Sequence, residues 1–175
     1  MLAEPEENIE LSVVLPMYDE QDVVAQSVSV VKAQLESCGR SFELICVDDG
    51  STDATAELLR GLADDDPRVR VVELSRNFGK EAALAAGLGR ARGEAVLLMD
   101  ADLQHPPELI PRMLEFWDQG YHVVSGVKEK RARESLTYRL MARVFDTLMG
   151  GAAGSSFHGA SDFKLLDRQV VDALL

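Results

Sequence analysis

Short apolar runs alternate along this chain with longer stretches of helical periodicity. Residues 11–16 are apolar and β-branched and predict a buried strand, and residues 21–37 predict a helix. Residues 42–47 predict a second strand, ending at Asp48-Asp49-Gly50-Ser51-Thr52-Asp53, a turn that caps a helix running to about Ala63. Residues 69–74 predict a third strand, followed by an Ala-rich helix over 80–91. Residues 94–99 predict a fourth strand, and Pro106-Pro107 opens the next helix, where a missing N–H costs nothing. Residues 121–126 predict a fifth strand. Strands that stay apolar at successive positions are buried on both faces, so the expected class is α/β, a mostly parallel sheet with helices on both faces. No repeat, low-complexity stretch or linker interrupts the alternation, which leaves an acidic tail over 1–10 and one domain over 11–175.

Ligand sites of open parallel sheets lie beyond the carboxyl ends of the strands. Polar residues do collect there. The first strand runs into Pro16-Met17-Tyr18-Asp19-Glu20, the second into Asp48-Asp49-Gly50-Ser51, the third into Ser75-Arg76-Asn77, and the fourth into Asp100-Ala101-Asp102-Leu103-Gln104. Carboxylates gathered on neighbouring strand ends repel one another unless cations or hydrogen-bond donors meet them.

Charge sharpens that picture. The 175 residues carry a net charge of −12, which excludes a nucleic-acid binder held by counterion release. Residues 1–66 hold sixteen acids against three bases, whereas residues 128–143 hold six bases against two acids. An acidic body with one basic segment is expected to meet an anion at that segment. No stretch approaches the roughly 20 apolar residues that span a bilayer, and the first ten lack the basic-then-apolar form of a signal peptide. The expected location is therefore the cytoplasmic side, with Cys38 and Cys46 as reduced thiols.

Asp100 and Asp102, two apart at a strand end, can converge on one hard divalent ion, with the Gln104 amide oxygen as a third donor and Ala101 small enough to admit a ligand. A solvated turn with Asp as helix cap explains an isolated Asp-x-Asp equally well; Asp48-Asp49 on a neighbouring strand end favours the ligand. Neither the Gly-x-Gly-x-x-Gly dinucleotide fingerprint after the first strand nor a P-loop occurs, so nucleotide phosphates here require a metal, with Arg76 and Lys80 as further cations.

Four segments then resemble family 2 glycosyltransferases: residues 13–20 (VVLPMYDE), 47–53 (VDDGSTD), 75–80 (SRNFGK) and 99–108 (MDADLQHPPE). Within the family they look like the polyprenyl-phosphate sugar transferases, such as dolichol-phosphate mannose synthase and the bacterial undecaprenyl-phosphate enzymes. The resemblance implies a GT-A (Rossmann-like) fold and an inverting hexosyltransferase using a UDP- or GDP-sugar with Mg²⁺ or Mn²⁺. Carried over by position, Pro16, Tyr18 and Glu20 match the base-and-ribose pocket, and Asp48 and Asp49 the acidic pair contacting the nucleoside. Asp100, Asp102 and Gln104 match the metal and diphosphate group; Ala101 and Lys80 are the remaining residues expected to bind the nucleotide sugar. Asp19 stands where the family usually has Asn. Ser51, Thr52 and Asp53 are explained by helix capping.

The basic segment resembles the polyprenyl-phosphate branch, in which such residues meet the donor diphosphate and acceptor phosphate. Arg131 is the leading acceptor-phosphate residue, with Lys128, Lys130 and Arg133 beside it. Two unit charges 4 Å apart repel by about 4 kcal/mol at an effective dielectric near 20, so two anions cannot be joined without cations. Leu136, Leu140, Met141, Val144, Phe145, Leu148 and Met149 recur at helical spacing, which suits a helix at a lipid interface and equally one packed on the sheet. Residues 150–156 (GGAAGSS) read as an acceptor-side lid. Asp162, in Asp-Phe-Lys-Leu, matches the position assigned as catalytic base, although an acceptor phosphate with a second pKa near 6 is already an oxyanion at neutral pH. His105 and His158 read as capping or loop residues and His122 as sheet surface.

The expectation is transfer of sugar to a dolichyl or undecaprenyl phosphate, with peripheral or C-terminally anchored membrane association and self-association left open. Two alternatives stand beside it. One is a family 2 enzyme acting on a saccharide or other hydroxyl. The other is a donor-binding fragment without turnover, since the last residues read as a starting helix and the domain is expected to be truncated at its C-terminus.

Overall fold

The computed structural model describes residues 8–126 and 163–175. In chain order its elements are β1 (Leu11–Met17), α1 (Val24–Ser37), β2 (Phe42–Asp48), α2 (Thr55–Asp65), β3 (Val69–Glu73), α3 (Lys80–Leu88) and β4 (Ala95–Leu98). A 3-10 turn over Pro107–Leu109 leads into α4 (Ile110–Asp118), then come β5 (Val123–Ser125), β6 (Lys164–Asp167) and α5 (Arg168–Leu174). All strands join one sheet in the order β3-β2-β1-β4-β6-β5. β3, β2, β1 and β4 run parallel, so the ends of β2, β1 and β4, which carry the acidic motifs, lie side by side.

Alternation along each strand divides the core between two faces. Val13, Leu15, Leu44, Cys46 and Leu97 pack with α1, α2 and α4 through Val24, Val28, Leu35, Leu59, Ile110 and Leu114. Val14, Ile45, Val47, Val96 and Leu98 turn the other way, onto Ala83, Leu88 and Val171 of α3 and α5. The thiol of Cys46 is fully buried in the first layer, where burial pushes its pKa up to about 12; neither Cys46 nor Cys38 is in a disulfide.

Two features depart from the sequence reading. β6 was not expected as a strand: it runs antiparallel to both β4 and β5 and wedges between them, so β5 is not the neighbour of β4. α1 begins at Val24 rather than Gln21: residues 21–23 form a turn, and the backbone N–H groups of Glu20 and Gln21 donate to Thr55 Oγ1 and Asp53 Oδ2. Among the described residues no helix is long and apolar enough to cross a membrane. The amphipathic stretch from Leu136, the glycine-rich segment at 150–156 and the basic cluster lie outside the described residues.

Candidate active site

A cleft of about 360 Å³ opens where β1 and β4 end, lined by Pro16, Met17, Tyr18, Glu20, Asp49, Asn77, Gly79, Lys80, Ala83, Asp100, Ala101 and Asp102. It contains every residue expected to hold the nucleotide sugar except Asp48 and Gln104. Asp48 is buried at the last position of β2, and its two carboxylate oxygens accept from Ser51 N at 3.3 Å, closing the turn instead of facing the cleft. Gln104 supplies its backbone N–H to Asp102 Oδ1 at 2.9 Å.

Asp49, 3% exposed, accepts from Phe78 N and Gly79 N at 2.8 Å each. Its carboxylate thus fixes the turn leading into α3, and a carboxylate has about four lone-pair directions, so acceptor capacity remains for a ligand. Gly50 makes this close approach feasible: φ is +68°, and a Cβ there would lie 2.3 Å from the Arg76 carbonyl carbon. Arg76 itself is stacked 4.6 Å from the centroid of Phe78 and does not line the cleft.

Lys80 is the first residue of α3, and its ammonium pairs with Asp100. That pairing offsets one of the two carboxylates at the end of β4 and leaves the exposed Asp102 as the second. Between them, Ala101 is buried and its carbonyl accepts from Ser27 Oγ, which anchors the end of β4 to α1. Glu20 titrates above its ordinary value, through burial first and then the negative fields of Asp102 and Asp53. The cleft therefore presents a hydrophobic wall (Pro16, Met17, Ala83), an aromatic ring (Tyr18, 41% exposed), carboxylate acceptors and one cation.

Among the described residues no three His, Cys, Asp or Glu side chains converge as a metal cage. Asp100 and Asp102 on one cleft fit a different arrangement, a hard cation held by one or two carboxylates and completed by phosphate oxygens and water. His105 does not join them; its ring stacks on Phe163, with centroids 5.2 Å apart and planes at 9°. His122 is exposed, with Nδ1 3.7 Å from Asp167 Oδ1.

Met17, Asn77, Gly79 and Ala83 also line the cleft; the first three stand in segments singled out from sequence, but none of the four was assigned a contact there. A signal for two of them was available: Gly79 and Ala83 are four apart across the start of α3, one helical turn of small residues facing a strand end. Asn77 Oδ1 accepts from Gly79 N at 3.0 Å, which tightens the same turn.

Asp162, Arg131, Lys128 and Arg133, with Lys130 and His158, lie outside the described residues. The residues flanking that stretch are joined: Gly126 N donates to Phe163 O at 2.8 Å, and Lys164 pairs in register with both Leu98 and Ser125. The Phe163 flank therefore sits next to the carboxyl end of β4, which Asp100 and Asp102 follow, and the Gly126 flank lies one strand further out.

The sequence profile of glycosyl transferase family 2 matches residues 12–175. The chain is 41% identical over 170 residues to the undecaprenyl-phosphate 4-deoxy-4-formamido-L-arabinose transferase of Edwardsiella ictaluri, covering 94% of this chain and 51% of that protein. It is 39% identical over 168 residues to an uncharacterized glycosyltransferase of Bacillus subtilis, YkcC, covering 95% of this chain and 52% of that one. The chain thus spans about half the length of these relatives. In structure it is similar to the mannosyltransferase PcManGT of Pyrobaculum calidifontis in complex with GDP-Man and Mn²⁺, with a TM-score of 0.67 and 24% identity over 98% of this chain and 48% of that one. It is also similar to Staphylococcus aureus TarS 1–349 in complex with UDP-GlcNAc, with a TM-score of 0.63 and 18% identity over 95% of this chain and 47% of that one.

Proposed function

The chain belongs to glycosyl transferase family 2 and has a GT-A fold, and we propose that it moves a sugar from a UDP- or GDP-sugar to a polyprenyl phosphate with inversion at the anomeric carbon. The observation that carries the reading is the single cleft in which Tyr18, Glu20, Asp49, Lys80, Asp100 and Asp102 come together from four separate segments of the chain. Pro16 and Tyr18 give a base an apolar edge and a ring, and Glu20 and Asp49 give a base or ribose its acceptors. Lys80 and Asp102 mark the diphosphate end. There Asp100 and Asp102, with Gln104 adjacent, would hold Mg²⁺ or Mn²⁺, which would supply electrostatic stabilisation of charge on the departing diphosphate.

The polyprenyl-phosphate acceptor is supported by the name of the Edwardsiella relative and by the basic residues Lys128, Lys130, Arg131 and Arg133, which follow β5 in sequence. An acceptor phosphate must approach a diphosphate of the same sign, and Arg131 with Lys128 and Arg133 offsets that repulsion. The phosphate oxygen attacks the anomeric carbon in line with the leaving diphosphate. It needs no base to generate the oxyanion, so Asp162 orients the sugar or a neighbouring cation. A lipid-phosphate acceptor supports a reaction at a membrane surface, and the cytoplasmic side is part of the proposal.

The test is donor consumption measured with UDP- and GDP-sugars and Mn²⁺, offering an undecaprenyl or dolichyl phosphate against saccharide hydroxyls. The expected product is the polyprenyl-phosphate sugar, with the Arg131→Ala variant raising the acceptor KM at least tenfold. Sugar appearing on a saccharide but never on the lipid phosphate contradicts the proposal. Donor binding without either product supports the donor-binding reading instead.

A further inference from the structure

The turn after β1 alternates in its contacts. Tyr18 and Glu20 line the cleft, while Asp19 and Gln21 face away from it, onto the turn between β2 and α2. Asp19 N donates to Ser51 Oγ at 2.9 Å, and Asp19 Oδ1 accepts from Thr52 N at 2.7 Å. Glu20 N donates to Thr55 Oγ1 at 2.8 Å. Gln21 N donates to Asp53 Oδ2 at 3.1 Å, and Gln21 Oε1 accepts from Ala54 N at 3.1 Å. The bonds run in both directions, each turn using backbone donors and side-chain acceptors against the other. Asp53 and Thr55 tie the far side together, since Asp53 Oδ1 also accepts from Thr55 N at 2.9 Å.

Asp19 adopts φ of +52°, a left-handed conformation that Asp and Asn tolerate far better than other side chains. Tyr18 and Glu20, on either side of it, both line the cleft. The departure of Asp19 from the family's usual Asn keeps both requirements: left-handed tolerance and an oxygen that accepts from Thr52 N. Helix capping, the reading given to Ser51, Thr52 and Asp53 from sequence, is not what they do: Ala54 precedes α2 and no side chain caps it, and the three side chains bond to the turn after β1 and to Thr55 N instead.

We propose that this clasp between the two turns is one cooperative positioning device: Asp19, Gln21, Ser51, Thr52, Asp53 and Thr55, all outside the cleft lining, set how Tyr18 and Glu20 enter the nucleoside pocket. The proposal rests on the reading of the cleft as a nucleotide-sugar site. It assigns the turn motif at 51–55 to the neighbouring turn's geometry, through which it acts on the ligand at one remove.

The 175-residue chain and its variants Asp19→Asn, Asp19→Ala and Thr55→Val separate the possibilities by two measurements. The first is amide hydrogen exchange by NMR without ligand; the second is calorimetric titration with UDP and GDP in the presence of Mn²⁺. Asp19→Ala and Thr55→Val are expected to speed exchange together at Glu20, Gln21, Thr52 and Ala54, leaving the β1 amides protected. They are also expected to weaken nucleoside-diphosphate binding about tenfold, the scale of one lost hydrogen bond that positions its neighbours. Asp19→Asn is expected to restore both. Should Thr55→Val fail to fold, Ser51→Ala at a half-buried position replaces it. Exchange quickening only at the amide whose own acceptor was removed overturns the proposal, as does unchanged affinity with the turns opened. If the wild-type chain binds neither UDP nor GDP, the nucleotide reading of the cleft falls, while the exchange pattern still decides whether the clasp acts as a unit.

Discussion

Glu43 is 1% exposed and carries its charge at the second position of β2, at the end of the sheet away from the cleft. Burial works to raise its pKa, but hydrogen bonds from the Arg92 backbone, Ser12, Arg70 and the Arg92 side chain outweigh it and hold the carboxyl below its ordinary value. The donors stand close: Ser12 Oγ, Arg92 N and Arg70 Nη1 at 2.7 Å, and Arg92 Nη2 at 2.9 Å. A depressed folded-state pKa adds stability that is complete above the unfolded value of about 4.3 and is lost as pH falls through the folded value. Glu43→Gln should therefore lower stability by about 2–3 kcal/mol at pH 7, less than a wholly buried pair because Arg92 is largely exposed. The deficit should shrink by pH 3, measured as urea midpoints at both values; an equal deficit at each pH contradicts this account. Glu20 has the opposite sign. Its raised pKa means that holding it ionised in the cleft costs stability as pH rises through the folded value. A carboxylate that weakens the fold where Asp102 and Asp53 already sit is expected of a ligand site rather than of a scaffold.

At the scale of elements, α3 shows how tightly the sheet and helices fit. A Cβ on Gly87 would lie 2.3 Å from Val14 Cγ1 and 3.1 Å from Val47 Cγ2, so the helix lies directly on β1 and β2. Alanine in place of an interior helical glycine ordinarily adds about 1 kcal/mol. At Gly87 the overpacking, about 1–3 kcal/mol, should reverse that sign, whereas Gly61 of α2 meets nothing within 4 Å and should show the ordinary gain. Chemical denaturation of Gly87→Ala and Gly61→Ala measures both; shifts in the same direction contradict the packing described. The parallel half of the sheet was legible because β1, β2 and β4 are buried along nearly their whole length and are largely apolar, and β3, though only half-buried, is rich in valine between turn signals. β6 was not, since Lys164-Leu165-Leu166-Asp167 is short and its partners Leu98 and Ser125 lie far away in sequence. Periodicity reports which face a residue takes and is silent on which strands pair. The same limit separates Asp48 from Asp49: neighbouring residues at a strand end face opposite ways, and the pattern alone does not say which one meets the cleft. The Lys80–Asp100 pair was hidden for a related reason, because it joins two motifs whose adjacency exists only once β1 has brought β2 and β4 to its two sides.

Across the whole molecule, the charge of −12 makes the cleft a demanding place for a diphosphate. Glu20, Asp49, Asp100 and Asp102 line it against the single described cation Lys80, which is itself paired with Asp100. An anionic ligand can be accommodated there only with added positive charge, and Asp100 with Asp102 is the place in the cleft where a hard cation fits. Nucleoside-diphosphate binding is therefore expected to depend on metal through Asp102, an exposed residue whose removal should leave the fold intact. Calorimetric titration of UDP and GDP into the wild-type chain and Asp102→Ala, each with and without Mn²⁺, tests this directly. The predicted result is that at least one of the two nucleotides binds the wild type with Mn²⁺, and that binding is at least about tenfold weaker when either the metal or the Asp102 carboxylate is removed. Equal affinity in all four conditions would contradict the account.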